Sequence, residues 1–525
     1  MRTIAACVAG IVVGACTSST PGTARPSAAP PVAASGKLWS SARVVALADG
    51  ALVIDEHSGD LVRTDAEGQW TARVAIGEAA GLLAYDEARR RVYVADRMGD
   101  RVVVVEVGRE LREVARWKTP AEPFGVAVTP DGATVVVSTI ADRTLVGFDA
   151  QTGAERWRAG LSPEPRTVAI SPDGRRALVA SARMGAVDDI ALDGSRPSTH
   201  IAFDLTCDDK TTQVVAQIVA NDPRSIAWDA KRDALYVAGR ASSSVLRLAG
   251  LTRGTTDDID RGAGSFMLST RETCGPDGMA LAADGSVYIW CSLSRTVVHV
   301  RETGLVEGPV VAASTLTPRQ HTGFVLFNST DPRINDDRAL ACTTCHIDGR
   351  TDGVSWRIGT NTLQTPVLAG RLMGTAPYKW TGSDPTLAAS LDRTIRRLGG
   401  SGLGATETEA LVAYLESMPR PRTPTLDPAA VERGKRVFDV RGGCVACHRG
   451  PQLTDAEGHL FELTQFETDT PSLVGLAASA PYYHDGSAPT LEALVSGRGT
   501  VRDMADFKGL TEDERADLAA YLTSL

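Results

Sequence analysis

The chain has 525 residues, of which 43% are hydrophobic and 23% charged. That balance excludes a disordered or polytopic protein, and the length allows about three to four domains. Lys and Arg total 55 against 64 Asp and Glu, a net charge of −9, so no basic excess points to nucleic acid. Fifty Gly and 27 Pro against 10 Phe predict many turns and many short strands. Nine Cys are too few for a disulfide scaffold of this size, so their spacing carries the information.

The first element is a targeting segment. Arg2, an apolar run from Ile4 to Val13 and small residues before Cys16 read as an export signal, too short to span as a stable helix. With Cys at the cleavage point, residues 1–16 resemble a bacterial lipoprotein signal. The resemblance implies that Cys16 becomes the lipidated first residue, holding the protein to a membrane by acyl burial in the periplasm, at the outer membrane or at the cell surface. A plain signal peptide with an incidental Cys16 is the alternative. Residues 17–37 are Ser, Ala and Pro-rich and read as a flexible linker.

Residues 38–315 repeat. Phe124–Thr139 and Arg166–Ser181 share an apolar strand, a Pro-Asp-Gly turn and a β-branched strand. Weaker copies start at Gly81, Arg224 and Asp277, and a degenerate one near Arg43. Offsets of about 42 to 58 residues approach the four-strand period of propeller blades. The segments resemble blades of bacterial seven-bladed propellers of the YVTN-repeat type. Six copies are visible, and Gly308–Thr315 is expected to complete a seventh blade with N-terminal strands. Asp149–Trp157 matches the tryptophan-docking signature of quinoprotein dehydrogenases once, so packing of Trp157 between blades is the preferred reading. His57, His200 and His299 have no ligand spacing and read as surface or packing residues. Cys207, Cys274 and Cys291 allow one disulfide, with Cys274–Cys291 favoured because they bracket a hairpin.

The C-terminal part carries the strongest signal. Cys342-Thr-Thr-Cys345-His346 and Cys444-Val-Ala-Cys447-His448 are two C-x-x-C-H motifs. Two thiols three residues apart can add to the two vinyl groups of one porphyrin, and the next residue reaches its iron. This is the pattern of covalent c-type haem attachment. Zinc is the competitor, but it requires the two halves to meet and leaves both His unexplained. Around the motifs the chain repeats again. Gly323 and Phe327 precede the first, as Gly434 and Phe438 precede the second, each pair four apart on one helical face. Tyr414 mirrors Tyr521 in the last helices, which are expected to start at capping boxes Thr406–Glu409 and Thr511–Glu514. These features resemble two tandem class I cytochrome c domains, at 316–420 and 428–525, joined by linker 421–427. The fold class is therefore multidomain β plus α: a propeller of about seven blades, then two helical cytochrome domains.

Thr365–Leu387 and Thr470–Leu491 form a third repeat around Ala-Pro-Tyr. The second copy resembles the signature of bacterial dihaem cytochrome c peroxidases and of the dihaem oxidase that matures tryptophan-derived quinones. That resemblance covers about residues 320–525. It implies two haems on Cys342/Cys345 and Cys444/Cys447, with His346 and His448 as proximal ligands, and a Ca2+ ion between the haem domains. Trp380 aligns with His484 and inherits a place between the haems. Relatives carry a methionine where Leu398 stands here, so the first iron is expected open, with Met373, Lys379 and Met418 as remaining candidates. Met504 is the expected sixth ligand of the second iron, with His459 and His321 unassigned. The Gln and Glu that the peroxidases use near the open haem have no matching pair here, and Asp392 and Arg393 could substitute as acid and charge stabiliser. The expected activity is a peroxidase- or oxidase-like redox enzyme. Hydrogen peroxide is the candidate oxidant, a redox protein the donor or substrate, and the propeller a docking domain. The rivals are a pure electron carrier and a propeller binding protein whose haems sense redox state.

Overall fold

The computed structural model describes residues 39–183, 186–193, 200–202, 222–229, 231–249, 266–269, 274–336, 340–464 and 466–525. The proposed signal, Cys16, linker 17–37 and Cys207 lie outside the described residues.

Six antiparallel sheets of four consecutive strands form the N-terminal part. Their innermost strands are Val44–Leu47, Ala80–Asp86, Pro123–Val128, Pro165–Ile170, Pro223–Asp229 and Pro276–Leu281. All six sequence copies therefore begin blades. Strands near the axis are covered on both sides by neighbouring blades. Gly50–Asp55 is accordingly buried throughout and almost wholly apolar. The outermost strands meet solvent on one side, so Leu111–Lys118 mixes Arg and Glu with apolar residues. The Pro-Asp-Gly turns form because the Asp carboxylate caps them. Asp131 accepts from the Thr129 hydroxyl at 2.6 Å and the Ala133 amide at 2.9 Å. Trp157 packs between the third and fourth blades, as a structural residue would.

The propeller has six blades among the described residues, not seven. Gly308–Thr315 does not pair as a strand. Val311 and Ala312 instead pack with Val44, Tyr288 and Trp290, where the sixth blade meets the first. The N-terminal strand is used elsewhere too. Trp39–Ser40 adds to the inner edge of the fourth blade, and Ser41 bonds Val168 through amide and hydroxyl. Ala42 then bridges to Leu83 of the second blade. This segment therefore crosses the axis instead of closing a blade. Cys274 and Cys291 form the favoured disulfide.

The C-terminal part is helical. Helix α1 (Pro318–Asn328) has a Thr317–Gln320 capping box. Helices α2 (Leu387–Arg397) and α3 (Ala405–Ser417) follow, then α4 (Pro428–Arg436) and α5 (Glu512–Ser524). Gly323 of α1 lies against Ala410 of α3, where an added Cβ would stand 2.1 Å from the carbonyl oxygen. Gly434 of α4 meets Asp517 of α5 identically, at 1.9 Å. Phe327 touches Tyr414 edge-on at 5.6 Å, and Phe438 touches Tyr521 at 5.1 Å. The two crossings repeat each other, as the Gly–Phe–Tyr pattern predicts. One cap differs: α3 starts earlier than Thr406. The Gly404 amide donates to Glu407 at 3.0 Å, since glycine enters the turn without a side-chain cap and Glu407 satisfies its amide. Thr511 and Glu514 do form the expected box.

Candidate haem site

The two attachment motifs are built alike. Cys342–Cys345 makes one helical turn and Cys444–Ala446 a tighter one. The His346 amide donates to the Cys342 carbonyl at 3.0 Å, and His448 to Cys444 at 2.8 Å. Each turn thus fixes the imidazole relative to its thiols. His346 Nδ1 lies 3.0 Å from the Pro366 carbonyl, and His448 Nδ1 3.0 Å from that of Leu453. A carbonyl can only accept, so Nδ1 carries the proton and Nε2 keeps its lone pair for a metal. Burial pushes the His346 imidazole down to about 4, against the opposing effect of that hydrogen bond, so it is neutral at pH 7.

None of the four thiols is in a disulfide, whereas Cys274 and Cys291 pair with each other. Burial pushes the Cys342 thiol up to about 11, Cys345 to about 12 and Cys444 to about 11. Among the described residues one group of metal-type donors converges, Cys447, Asp455 and His459, so the two Cys pairs do not share a metal. Paired thiols beside a neutral imidazole with one committed nitrogen fit covalently attached haem c.

The other sequence candidates are scattered. Trp380 lies where the two halves meet. Its Nε1 donates to the Gln364 carbonyl at 2.9 Å, and its carbonyl accepts from the Asp469 amide at 2.9 Å. Gln364 also donates from its amide to His484 at 2.7 Å. Asp392 faces solvent and pairs with Arg396 one helical turn on, at 2.9 Å. Arg393 pairs with the fully buried Asp384 at 3.0 Å. Asp384 is the acid that sequence reading passed over. Lys379 is half-buried and donates to the Thr394 hydroxyl at 2.5 Å. Burial pushes its amine down to about 8. Met418 packs in the core beside Gly349 and Ala369, consistent with its alignment to Leu525. Met373 is 58% exposed and Met504, in a loop after Val501, 37% exposed. His321 sits at the propeller boundary, its ring 6.2 Å from that of His57. His299 stacks on Tyr288 at 4.0 Å, a packing role. His459 bonds Asp455 at 3.0 Å.

The first motif also abuts the propeller. The Thr343 hydroxyl, between the two cysteines, accepts from Arg240 at 3.1 Å. Arg350 pairs with Glu122 and Glu164. Linker 421–427 lies on the same face, with Arg422 paired to Asp100 and the Thr425 amide donating to Asp142 at 2.6 Å. No local pattern marks these partners; the only trace is an acidic residue before Pro at Glu122, Glu164 and Asp222.

A family described as RoxA-like, cytochrome c-like, matches residues 469–502. The methylamine utilization protein MauG of Methylorubrum extorquens is 27% identical over 41% of this chain and 81% of that protein. Cytochrome c551 peroxidase of Nitrosomonas europaea is 23% identical over 41% and 84%. Solved hydrazine synthase of Kuenenia stuttgartiensis covers 52% of this chain and 98% of its own, at TM-score 0.41 and 18% identity. Fold, site and sequence relatives together define a six-bladed propeller fused to a MauG- and cytochrome c peroxidase-like module. The relatives are named as a methylamine utilization protein and a cytochrome c peroxidase, and the two C-x-x-C-H turns of this chain fit covalently attached haem c.

Proposed function

We propose that this is an exported, lipid-anchored dihaem cytochrome acting as a peroxidase- or oxidase-like enzyme. One observation carries the proposal: two C-x-x-C-H turns, each with its imidazole Nδ1 fastened to a carbonyl, stand in repeated helical halves that meet at Trp380. His346 with Cys342 and Cys345 would hold one haem, and His448 with Cys444 and Cys447 the other. When bound, the haems supply one-electron redox chemistry, with peroxide reduction at an iron whose sixth position is open.

The chain's own residues divide the work. Leu398 caps α2 and offers no ligand atom, which supports an open first site. Met504 is a thioether donor for the second. Trp380 bridges the halves through hydrogen bonds and shortens the gap between the sites. Asp384, held by Arg393, replaces Asp392 in the proposal as the acid of the first half. The disulfide supports an oxidising compartment and hence export. A Ca2+ ion between the halves belongs to the same proposal, with Asp469, whose Oδ1 is buried without a hydrogen-bond partner, as a donor at that junction. The cytochrome region and linker cover one face of the propeller, so a redox protein partner would meet the rim or opposite face.

Lys379 favours a second reading. Burial lowers its amine to about 8, so it gives up its proton more readily than an ordinary lysine and is the candidate iron ligand of a pure electron carrier. Cyanide and peroxide added to purified protein decide between them. A spectral change at one haem supports the enzyme; two low-spin haems blind to both support the carrier.

A further inference from the structure

Asp348 stands two residues after His346, in the left-handed conformation with φ 52°. Aspartate tolerates that conformation better than most residues, and it turns the carboxylate away from the helical core. The carboxylate enters the axial end of the propeller. It lies 3.3 Å from Arg166 of the fourth blade and 3.8 Å from Arg224 of the fifth. Those arginines are held in turn: Arg166 by Glu164 at 3.1 Å and Arg224 by Asp222 at 2.8 Å. Two residues further on, Arg350 reaches Glu122 at 2.5 Å and Glu164 at 3.1 Å. Glu122, Glu164 and Asp222 occupy the same place in consecutive blades, each just before the proline that opens the inner strand. All three have positive φ, 60°, 57° and 54°. The blade repeat therefore sets three acids at one level round the axis. The first motif inserts Asp348 and Arg350 among them, while Arg240 grips Thr343.

The second motif provides an internal contrast. Gly450 occupies the position two after His448, and Val445 and Ala446 stand between its cysteines. Among the described residues no hydrogen bond or ion pair from 444–450 reaches the propeller; His448 is braced by Leu453 of its own loop.

We propose that the propeller face is part of the proximal apparatus of the first haem, with Asp348 a positioning residue that locks the His346 loop into the axial arginines. The inference rests on the reading of Cys342–His346 as a haem site. It makes the propeller integral to that site instead of a detachable module. A carboxylate among buried guanidinium groups cannot be removed without leaving them undercompensated, so its loss must move the loop or the local field. Loss of one negative charge favours the reduced state of a nearby iron.

The test uses the full-length protein with its haems attached. Haem is counted in wild type and Asp348→Asn, and both potentials are measured by spectroelectrochemistry. A Cys342→Ala, Cys345→Ala protein identifies the bands of the second haem. The expected result is an unchanged haem count, a raised first potential, a shifted iron–histidine stretching band at the first haem and an unchanged second haem. If Asp348→Asn does not fold, Thr343→Val, which exchanges the hydroxyl gripped by Arg240 for a methyl group, carries the test through the same stretching band. A folded variant with both haems like wild type overturns the proposal and leaves the contact as packing alone. A wild type with no haem on the first motif defeats the underlying reading instead, and the count separates the two failures.

Discussion

The Trp380 carbonyl accepts a hydrogen bond from the Asp469 amide at 2.9 Å, tying the first half of the cytochrome region to the second. The indole nitrogen is bonded to Gln364, whose own amide reaches His484 of the other half. The ring is thus held at the junction from both sides. Trp380→Phe keeps an aromatic there but loses the indole hydrogen bond. It should slow electron passage between the haems at least several-fold while leaving both resting spectra intact. Stopped-flow reduction followed at the two haem bands measures this. An unchanged rate would remove Trp380 from the path.

Replacing Cys342 and Cys345 by Ala should leave one haem per chain after denaturation, against two in wild type. Acid-acetone extraction followed by haem staining reads the difference. Leu398→Met should supply a ligand to the first iron and suppress its response to cyanide and peroxide. Met504→Ala should lower the second potential, since a thioether favours ferrous iron.

The helix crossings predict a stability effect independent of haem chemistry. A methyl group at position 323 or 434 would meet a backbone carbonyl at 2.1 or 1.9 Å, and backbone cannot yield as a flexible side chain can. Gly323→Ala and Gly434→Ala should each cost on the order of 3 kcal/mol. Thermal unfolding monitored by circular dichroism checks both, with Gly374→Ala of no use as a control because its φ is 72°. Ala429→Gly on the exposed side of α4 is a better one, expected to cost only about 1 kcal/mol.

Asp469 predicts a pH dependence. Burial first, then the neighbouring Asp455, pushes its carboxyl up to about 7. The unfolded chain releases this proton near pH 4, so between about 4 and 7 the folded protein binds it more tightly. Its contribution is fully present below the lower value and is lost as pH rises through the upper one. Asp469→Asn should flatten that slope and gain on the order of 1 kcal/mol above pH 7, allowing for the group's partial exposure. If Ca2+ binds at this junction, adding it at pH 7.5 should raise the wild-type melting temperature and leave the variant unmoved.

If Cys16 is acylated, the protein should follow membranes and be released by detergent but not by high salt, because acyl burial is not screened. Cys16→Ser should leave an unlipidated form. A wild type found wholly in the soluble fraction would end the anchor proposal.

What the sequence determined by itself was whatever local spacing encodes. The thiols and imidazole of each C-x-x-C-H turn are within five residues, so the turn follows from the motif. The Gly–Phe pairs and their tyrosines mark two helix crossings because close approach needs a missing side chain at a fixed helical interval. The six blade starts were legible from alternation and turns, and Cys274–Cys291 from a hairpin that brings its ends together. Only the tertiary structure decided the rest. Whether Trp39 closes a blade or crosses the axis depends on which open edge it meets, and both are equally β-prone. Arg393 chose Asp384 over its neighbour Asp392 because the helix points those two side chains apart. Asp348 and Arg350 find their partners 182 and 228 residues back, at Arg166 and Glu122. Charge pairing across such distances follows no periodicity along the chain, so it became visible only when the blades had placed their acids and arginines round one axis.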